Sequence, residues 1–248
     1  MYILGDIGNT DTKIFLVSTR NKIIKKINFP SKDLNQKKLS KYISSLKPNY
    51  KSINKILFCS VVPNTFNIIK KFLSNKTKIN CYEVKNLDIK SLIKIKVNYK
   101  QVGSDRITNA ISLMNNKNNF IILDFGTATT FDVLIKDTYS GGVIAPGIRL
   151  SLGALADKAT LIPKINLKMI RNVIGKDTVS AVRSGFFWGY AGLIDNIIYL
   201  IKKETRKSFK VIITGGFSNL FKKSIKTKVY HNKDITINGL IKISKLIK

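Results

Sequence analysis

The sequence contains few cysteines and histidines, and this scarcity limits the chemistry that it can support. Its 248 residues include two cysteines and one histidine. Cys59 and Cys81 lie singly in apolar segments, which predicts buried thiols in a reducing compartment. His231 has no motif around it, is predicted to lie at the surface, and is the one residue through which a histidine-based triad could form. No cysteine and histidine spacing typical of zinc sites is present.

Long hydrophobic runs are also missing. The apolar runs are far shorter than the roughly 20 residues that span a bilayer, and the N-terminus enters a strand-like pattern with no basic segment before it. We therefore expect no signal peptide, no membrane partner and a cytoplasmic location. The G-x-x-x-x-G-K-[ST] phosphate loop is absent, and the Asp-Phe-Gly at 124–126 lies in a hairpin pattern, unlike the same tripeptide in protein kinases.

Acidic residues are scarce relative to basic ones. The chain has 44 Lys and Arg against 14 Asp and Glu, a formal net charge of +30. Such a charge can indicate a nucleic-acid partner. However, the basic residues are spread along the chain and most are Lys, whereas Arg forms the planar forks that recognise bases and phosphates. A lysine-rich surface produced by AT-rich coding bias explains the same composition. We therefore predict no specific nucleic-acid partner, although the positive potential favours anionic nucleotides.

The order of the apolar segments is typical of an α/β protein. Strand-like segments cover 2–7, 12–19, 22–29, 53–62 and 79–84 in the first half, and 119–124, 129–136, 139–145 and 210–214 in the second. Helical patterns cover 31–46, a segment beginning at Pro63, 105–115, 149–157, 177–205 and 237–247. Because the second half repeats the succession of the first, we predict an N-terminal lobe of residues 1–117 and a related C-terminal lobe of residues 118–248.

A polar turn between two apolar strands occurs twice in the sequence. The two segments read ILGDIGNTDTKIFLV near the N-terminus and IILDFGTATTFDVLI near the middle of the chain. Aligning Asp6 with Asp124 places Gly8 on Gly126. The repetition at equivalent places in the two halves indicates a shared use of the turns, and we interpret it as a nucleotide site. A pair of ordinary β-hairpins is the alternative.

The first turn has the composition of a phosphate site. A glycine at the bend exposes backbone N–H groups that can hold phosphate oxygens. Asn9, Thr10 and Thr12 add neutral donors, and Lys13 adds a positive charge. Asp6, at the end of the preceding strand, can hold a hard divalent cation such as Mg²⁺ or its waters.

Three further segments carry charge or glycine. In VGSDRITNAI, Asp105 and Arg106 stand at a predicted helix start. Asp105 is either an N-capping residue beside a surface arginine, or it accepts a hydroxyl proton while Arg106 binds an anionic substrate group. The segments 140–147 (SGGVIAPG) and 214–216 (TGG) indicate close backbone approach, and the second could accommodate adenine or ribose. Thr178, near another helix start, either caps that helix or faces a ligand.

Taken together, the motifs resemble those of the type III pantothenate kinases. They are, in chain order, DIGNTDTK (6–13), GSDR (103–106), DFGTATTFD (124–132), GGVIAPG (141–147), GKDTVSAVRSG (175–185) and TGG (214–216). The resemblance implies a duplicated ribonuclease-H-like fold, shared with actin-like ATPases, in which two lobes have mixed sheets flanked by helices. It also implies a homodimeric enzyme that uses ATP to phosphorylate the primary hydroxyl of pantothenate to 4'-phosphopantothenate, the first step of coenzyme A biosynthesis. The implied cofactors are Mg²⁺ and a monovalent cation, K⁺ or NH₄⁺.

The resemblance further implies roles for individual residues. Asp105 would be the general base for in-line phosphoryl transfer, Asp124 would bind the monovalent cation, and Thr127 would contact ATP. The first ATP loop would consist of Asp6, Ile7, Gly8, Asn9, Thr10, Asp11, Thr12 and Lys13. Pantothenate would contact Tyr99, Gly103, Ser104, Asp105, Arg106 and Thr178, the last across the dimer interface. Ser104 departs from the family, which usually has alanine there, and its hydroxyl should be tolerated.

Two other functions are compatible with parts of this pattern. An ATP-dependent enzyme of the same fold that acts on a sugar or a carboxylate would show no preference for pantothenate. An accessory factor in transcription would bind specific DNA at about 0.2 M salt, where simple charge attraction fades. The intact set of Asp6, Asp105, Asp124 and Thr127 favours a catalytic protein over a binding protein.

Overall fold

A computed structural model describes residues 1–247 of the chain, which divides into two compact units. Unit 1 comprises Met1–Met114, Asp137–Tyr139 and the C-terminal segment from Asp234, and unit 2 comprises Asn115–Lys136 and Ser140–Lys233. The lobe boundary expected after residue 117 stays a prediction. The C-terminal segment, which the sequence pattern had assigned to the second lobe, groups with unit 1.

Unit 1 is built on a five-stranded mixed sheet. Its strands are β1 (Tyr2–Ile7), β2 (Asp11–Val17), β3 (Ile23–Pro30), β4 (Lys55–Ser60) and β5 (Cys81–Glu83), in the spatial order β3-β2-β1-β4-β5. Strands β1, β2 and β3 are antiparallel neighbours, whereas β4 is parallel to β1 and β5 is parallel to β4. In this register Asp6 has Lys13 of β2 on one side and Cys59 of β4 on the other.

Four helices and a short strand complete unit 1. They are α1 (Gln36–Ser44), α2 (Pro63–Thr77), α3 (Ser104–Leu113), α7 (Ile235–Ile243) and β6 (Lys94–Ile95). Asn35 caps α1, because its side chain accepts a hydrogen bond from Lys38 N at 2.9 Å. Pro63 occupies the first turn of α2, where its missing N–H has no cost. Leu39, Ile43 and Ile69 from the two helices are fully buried in one hydrophobic cluster with the apolar side chains of the sheet.

The C-terminal helix α7 packs on α3 within unit 1. Thr236 Oγ1 donates to Asn109 Oδ1 at 2.8 Å, and Lys242 Nζ donates to the carbonyl oxygens of Ile111 and Ser112 at 3.1 and 2.7 Å. These last two bonds satisfy carbonyl groups at the C-terminal end of α3, which have no partner within the helix. The apolar side chains of Ile235, Leu240 and other residues of α7 are fully buried. This packing explains why the segment groups with unit 1.

Unit 2 repeats the sheet of unit 1. Its strands are β7 (Asn119–Phe125), β8 (Ala128–Ile135), β9 (Thr138–Pro146), β10 (Lys210–Gly215) and β11 (Val229–His231), in the spatial order β11-β10-β7-β8-β9. Strands β7 and β8 are antiparallel, β10 is parallel to β7, and β11 is parallel to β10. The first two residues of β9 belong to unit 1 and pair with β6. The repeated strand order confirms the predicted α/β class with two mixed sheets.

Helices α4 (Ile148–Lys158), α5 (Thr178–Thr205) and α6 (Ser218–Phe221) belong to unit 2. The long helix α5 begins with a capping box, in which the Asp177 side chain accepts from Ser180 N and the Ser180 hydroxyl accepts from Asp177 N. Its buried residues, among them Phe187 and Ile194, share a hydrophobic cluster with the strands of unit 2. Among residues 1–247, no helix is long and apolar enough to span a bilayer.

Candidate functional site

The first glycine turn joins β1 to β2. Gly8 N donates to Asp11 O at 3.0 Å and closes the turn. Asn9 and Thr10, at the tip, are exposed. Gly8 and Asp11 are partly buried at its base. The tip therefore presents small polar side chains and backbone to solvent at the end of two paired strands; that it binds phosphate stays a prediction.

Two residues of this segment are buried and support the turn from beneath. Ile7 is 1% exposed and belongs to the hydrophobic cluster of unit 1. Thr12 is fully buried, and its hydroxyl forms a 2.8 Å hydrogen bond with the hydroxyl of Ser31. Ser31 N in turn donates to Thr10 O at 2.9 Å. Thr12 thus lies in the expected segment, with its hydroxyl already engaged by the protein.

The side chain of Asp6 lies between β2 and β4, where little water reaches it. Its side chain is 17% exposed, one carboxylate oxygen lies 3.7 Å from Lys13 Nζ, and the other accepts from Cys59 Sγ at 3.6 Å. Burial raises the pKa of Asp6 from 3.8 to about 6; the Lys13 charge opposes this shift and the Asp105 charge adds to it. The carboxylates of Asp6 and Asp105 are therefore close enough to interact.

Asp105 lies in the first turn of α3. Its Oδ1 accepts a 2.8 Å hydrogen bond from Arg106 N. A side chain at Gly103 would overlap Asp105 Oδ1, so glycine leaves the space that this carboxylate occupies. Burial raises the pKa of Asp105, while Arg106 and, more weakly, the Lys85 charge act in the opposite direction. A carboxylate with a raised pKa, held beside a second acidic group, suits proton transfer.

The Ser104 side chain connects the first turn of α3 to the end of β4 by hydrogen bonds. Its hydroxyl accepts from Ser60 N at 2.8 Å and donates to Ser60 O at 3.1 Å, and Ser104 is 1% exposed. The Ser104 hydroxyl, expected from the sequence only to be tolerated, therefore has a structural use. It satisfies both backbone groups of Ser60 at the strand end.

Tyr99 lies in a short 3₁₀ helix, Tyr99–Gln101, that precedes α3. Its hydroxyl is buried and has no hydrogen-bond partner among the described residues. Burial, assisted by the charge of Glu83, raises the pKa of Tyr99 to about 12. A buried hydroxyl without a partner is unusual in proteins and points to a group that a bound molecule supplies.

Sequence reasoning missed two residues of this region. Glu83, at the end of β5, accepts from Ser60 N at 3.3 Å and from Lys85 N at 2.6 Å. Lys85 Nζ lies 5.7 Å from the centre of the Tyr99 ring. Glu83 lies in an ordinary strand pattern and Lys85 just after it, and neither belongs to a motif, so no feature of the sequence marks them.

The second glycine turn joins β7 to β8 in unit 2. Gly126 N donates to Ala128 O at 3.0 Å. Asp124 lies beside Gly215, because a Cβ built on Gly215 would stand 2.6 Å from Asp124 Oδ1. Gly215 has a φ of +86°, a left-handed conformation that favours glycine. Gly216 N donates to Phe125 O at 3.0 Å. The Asp-Phe-Gly-Thr and Thr-Gly-Gly motifs are thus brought together.

The glycine-proline segment at the end of β9 meets the same turn. A Cβ at Gly147 would lie 2.6 Å from the carbonyl carbon of Thr127 and closer still to its oxygen. Only glycine fits at position 147, and this explains why the segment 141–147 ends in glycine. Thr178, the remaining residue of the expected set, is exposed at the start of α5. Among the residues that the structure describes, no three His, Cys, Asp or Glu side chains form a metal-binding cluster.

Solved structures of other proteins share this fold. A structure described as an N-acetylglucosamine kinase from Porphyromonas gingivalis superposes with a TM-score of 0.53 at 12% identity, over 98% of both chains. One described as a Baf family transcriptional activator from Campylobacter jejuni superposes with a TM-score of 0.61 at 18% identity, over 98% of this chain and 97% of that one. The protein thus has the actin-like fold of sugar kinases and related ATPases.

Sequence comparison narrows this class to one family. The family model of type III pantothenate kinase matches residues 2–199. A type III pantothenate kinase of Pelagibacter ubique (strain HTCC1062) is 66% identical over 248 residues, which are all of both chains. This protein therefore belongs to the type III pantothenate kinase family, as the motifs predicted.

Proposed function

We propose that the protein catalyses transfer of the γ-phosphoryl group of ATP to the primary hydroxyl of pantothenate, giving 4'-phosphopantothenate and ADP as the first step of coenzyme A biosynthesis. Family membership supports this assignment. The observation that carries the mechanism is the position of Asp105, a carboxylate of raised pKa in the first turn of α3, electrostatically coupled to Asp6.

Asp105 acts as the general base. It accepts the proton of the primary hydroxyl while the hydroxyl oxygen forms a bond to the γ-phosphorus and the bond from that phosphorus to the ADP oxygen breaks. The 2.8 Å hydrogen bond from Arg106 N to Oδ1 holds the carboxylate in one orientation. Gly103, Arg106 and Tyr99 contact pantothenate, while the buried Ser104 supports them from beneath, and the Tyr99 hydroxyl finds its hydrogen-bond partner in the substrate.

The phosphates of ATP bind at the glycine turns. The exposed tip of the first turn offers the backbone and the side chains of Asn9 and Thr10, and Lys13 supplies positive charge. Thr127 contributes from the second turn. Asp6 has the chemistry to hold Mg²⁺ or its waters, since this ion needs only one or two carboxylates besides phosphate and water. When bound, Mg²⁺ neutralises charge on the transferring phosphoryl group.

Asp124 binds a monovalent cation, K⁺ or NH₄⁺. Its Oδ1 lies close to Gly215, beside which the carbonyl oxygen of Phe125 also lies. Activity is expected to be higher in K⁺ or NH₄⁺ than in Na⁺. An assay in the three chloride salts at equal ionic strength tests this assignment.

The protein acts as a homodimer. Unit 2 exposes several large apolar side chains, four of them in the segment before α5: Leu161 at 90%, Met169 at 61%, Val173 at 65% and Ile174 at 76% exposed. Exposed apolar surface of this kind is typical of protein interfaces. Thr178 follows the same segment, so dimerisation there lets Thr178 contact pantothenate bound to the partner. The two buried, unpaired thiols suit a cytoplasmic location.

The decisive experiment is a coupled assay of ADP release with pantothenate and ATP. Asp105→Asn should fold normally and lose roughly 100-fold or more in turnover, because it cannot accept the proton. Asp88→Asn, an exposed carboxylate outside the site, serves as the matched control and should retain full activity. Near-normal turnover of Asp105→Asn would remove this residue from the mechanism. A wild-type enzyme that prefers a sugar in a substrate panel would overturn the proposed substrate.

A further inference from the structure

His231 and Ser218 form a serine–histidine pair that lies outside every motif of the sequence. His231 Nε2 is 3.0 Å from Ser218 Oγ. His231 is the last residue of β11, and Ser218 is the first residue of α6. Because β11 pairs with β10 and α6 follows β10 in the chain, both side chains lie at the end of β10. The pair therefore borders the Thr-Gly-Gly motif at 214–216.

A second contact of Ser218 decides which member of the pair donates. Ser218 Oγ lies 2.7 Å from Gly215 O, and a carbonyl oxygen can only accept. The single hydroxyl hydrogen is therefore donated to Gly215 O, and Ser218 Oγ accepts from the Nε2–H group of His231. In a nucleophilic pair the serine would instead donate to an unprotonated ring nitrogen. Ser218 is also 2% exposed, which keeps substrates away from its oxygen. The pair supports the structure and does not attack a substrate.

The group that this pair holds is the turn after β10. Gly215 has a φ of +86°, and a Cβ built on it would stand 2.6 Å from both Asp124 Oδ1 and Phe125 N. Gly216 N donates to Phe125 O at 3.0 Å. The turn thus packs against the strand that leads into the second glycine turn. Because glycine is the most flexible residue, a hydrogen bond to the Gly215 carbonyl restricts the conformations that this turn can adopt.

We propose that Ser218 and His231 are positioning residues for ATP. Ser218 holds the carbonyl group of Gly215 and His231 holds the hydroxyl of Ser218, so that the Thr-Gly-Gly turn keeps the conformation in which it packs against Asp124. The inference rests on the proposed function, in which ATP binds at the glycine turns. A protein whose turn samples other conformations binds ATP more weakly, in proportion to the fraction that remains competent.

The test is the binding of the β,γ-imido analogue of ATP, which does not transfer its phosphoryl group. Calorimetry with Mg²⁺ and K⁺, without pantothenate, gives its Kd. Ser218→Ala should raise this Kd about 3- to 10-fold, the usual effect of losing one neutral hydrogen bond. His231→Leu leaves the bond from Ser218 to Gly215 in place and should raise the Kd about 2- to 3-fold. His231→Gln supplies an amide N–H donor and should stay within about 1.5-fold of wild type.

Tyr230→Leu is the matched control, because Tyr230 is the preceding residue of β11 and is 45% exposed. Its Kd for the analogue should equal that of wild type. In every variant the Kd for pantothenate should change less than about 2-fold, since a hydrogen bond at this turn does not contact the acceptor.

An unchanged Kd for the analogue in Ser218→Ala would overturn the proposal. A parallel loss of pantothenate affinity would also overturn it, because it would indicate a general loss of structure. Equal Kd values for His231→Leu and His231→Gln would overturn the role of His231 as a donor. Failure of the proposed function has a different signature, because the wild-type protein would then bind the analogue but would not phosphorylate pantothenate.

Discussion

Replacing Asp6 with asparagine should make the protein more stable and nearly inactive. The carboxylate of Asp6 is 17% exposed, and burial raises its pKa from 3.8 to about 6. The shift means that the folded chain opposes ionisation of this group. The Lys13 ammonium at 3.7 Å and the Cys59 thiol at 3.6 Å only partly offset the loss of hydration. Asparagine removes the buried charge and keeps the shape.

The magnitude follows from the pKa difference between the folded and unfolded chains. The rise in the pKa of Asp6 from 3.8 to about 6 corresponds to about 3 kcal/mol. Below about pH 4 both states hold the proton and Asp6 has no effect. Between about pH 4 and 6 the folded chain retains a proton that the unfolded chain has released, so the free energy of unfolding falls as pH rises. Above about pH 7 the full penalty of about 3 kcal/mol is present in wild type and absent in Asp6→Asn.

Urea unfolding from about pH 4 to about pH 8 measures this difference directly. The stability gain of Asp6→Asn over wild type should grow from near zero to about 3 kcal/mol across that range. Asp11→Asn removes a negative charge from the same turn and controls for the effect of net charge in a chain of formal charge +30. Activity of Asp6→Asn should fall at least about 100-fold, because the carboxylate that we propose as the ligand of the divalent cation is lost. A gain that does not depend on pH, or a loss of stability at pH 8, would refute the reasoning.

Two further substitutions test the contacts that support the site, and a third, Gly153→Ala, is their control. Ser104→Ala should lower the free energy of unfolding by about 1–2 kcal/mol, because the Ser60 carbonyl loses its hydrogen-bond donor. The kcat of this variant should change less than about 3-fold. A large drop in kcat would show that the Ser104 hydroxyl positions Asp105. Gly147→Ala should raise KM for ATP at least about 10-fold, because the added Cβ displaces Thr127. Gly153→Ala in α4, where a Cβ meets no atom within 4 Å, should leave KM unchanged and raise stability by up to about 1 kcal/mol in thermal unfolding.

The strand and helix positions were largely accessible from the sequence because they depend on local patterns. The predicted strands at 2–7 and 119–124 correspond to Tyr2–Ile7 and Asn119–Phe125, and the predicted helix at 177–205 corresponds to Thr178–Thr205. The last predicted helix, 237–247, begins earlier, at Ile235, and ends at Ile243 before a 3₁₀ turn, Ser244–Leu246. Helix ends depend on how the last turn packs and are therefore less well marked by periodicity.

By itself, the sequence determined the two glycine turns, the family and most of the candidate residues, because short-range chemistry specifies a turn between two strands. Tertiary structure alone decided which groups surround the glycine turns and the candidate residues. Ser104 contacts Ser60 across 44 positions of the chain, and Glu83 contacts Ser60 across 23. Such contacts follow from the pairing of β4 with β5 and the packing of α3, to which no single segment of sequence commits the chain. The raised pKa of Asp6 has the same origin, since it sums the burial and charges that several elements bring to one place.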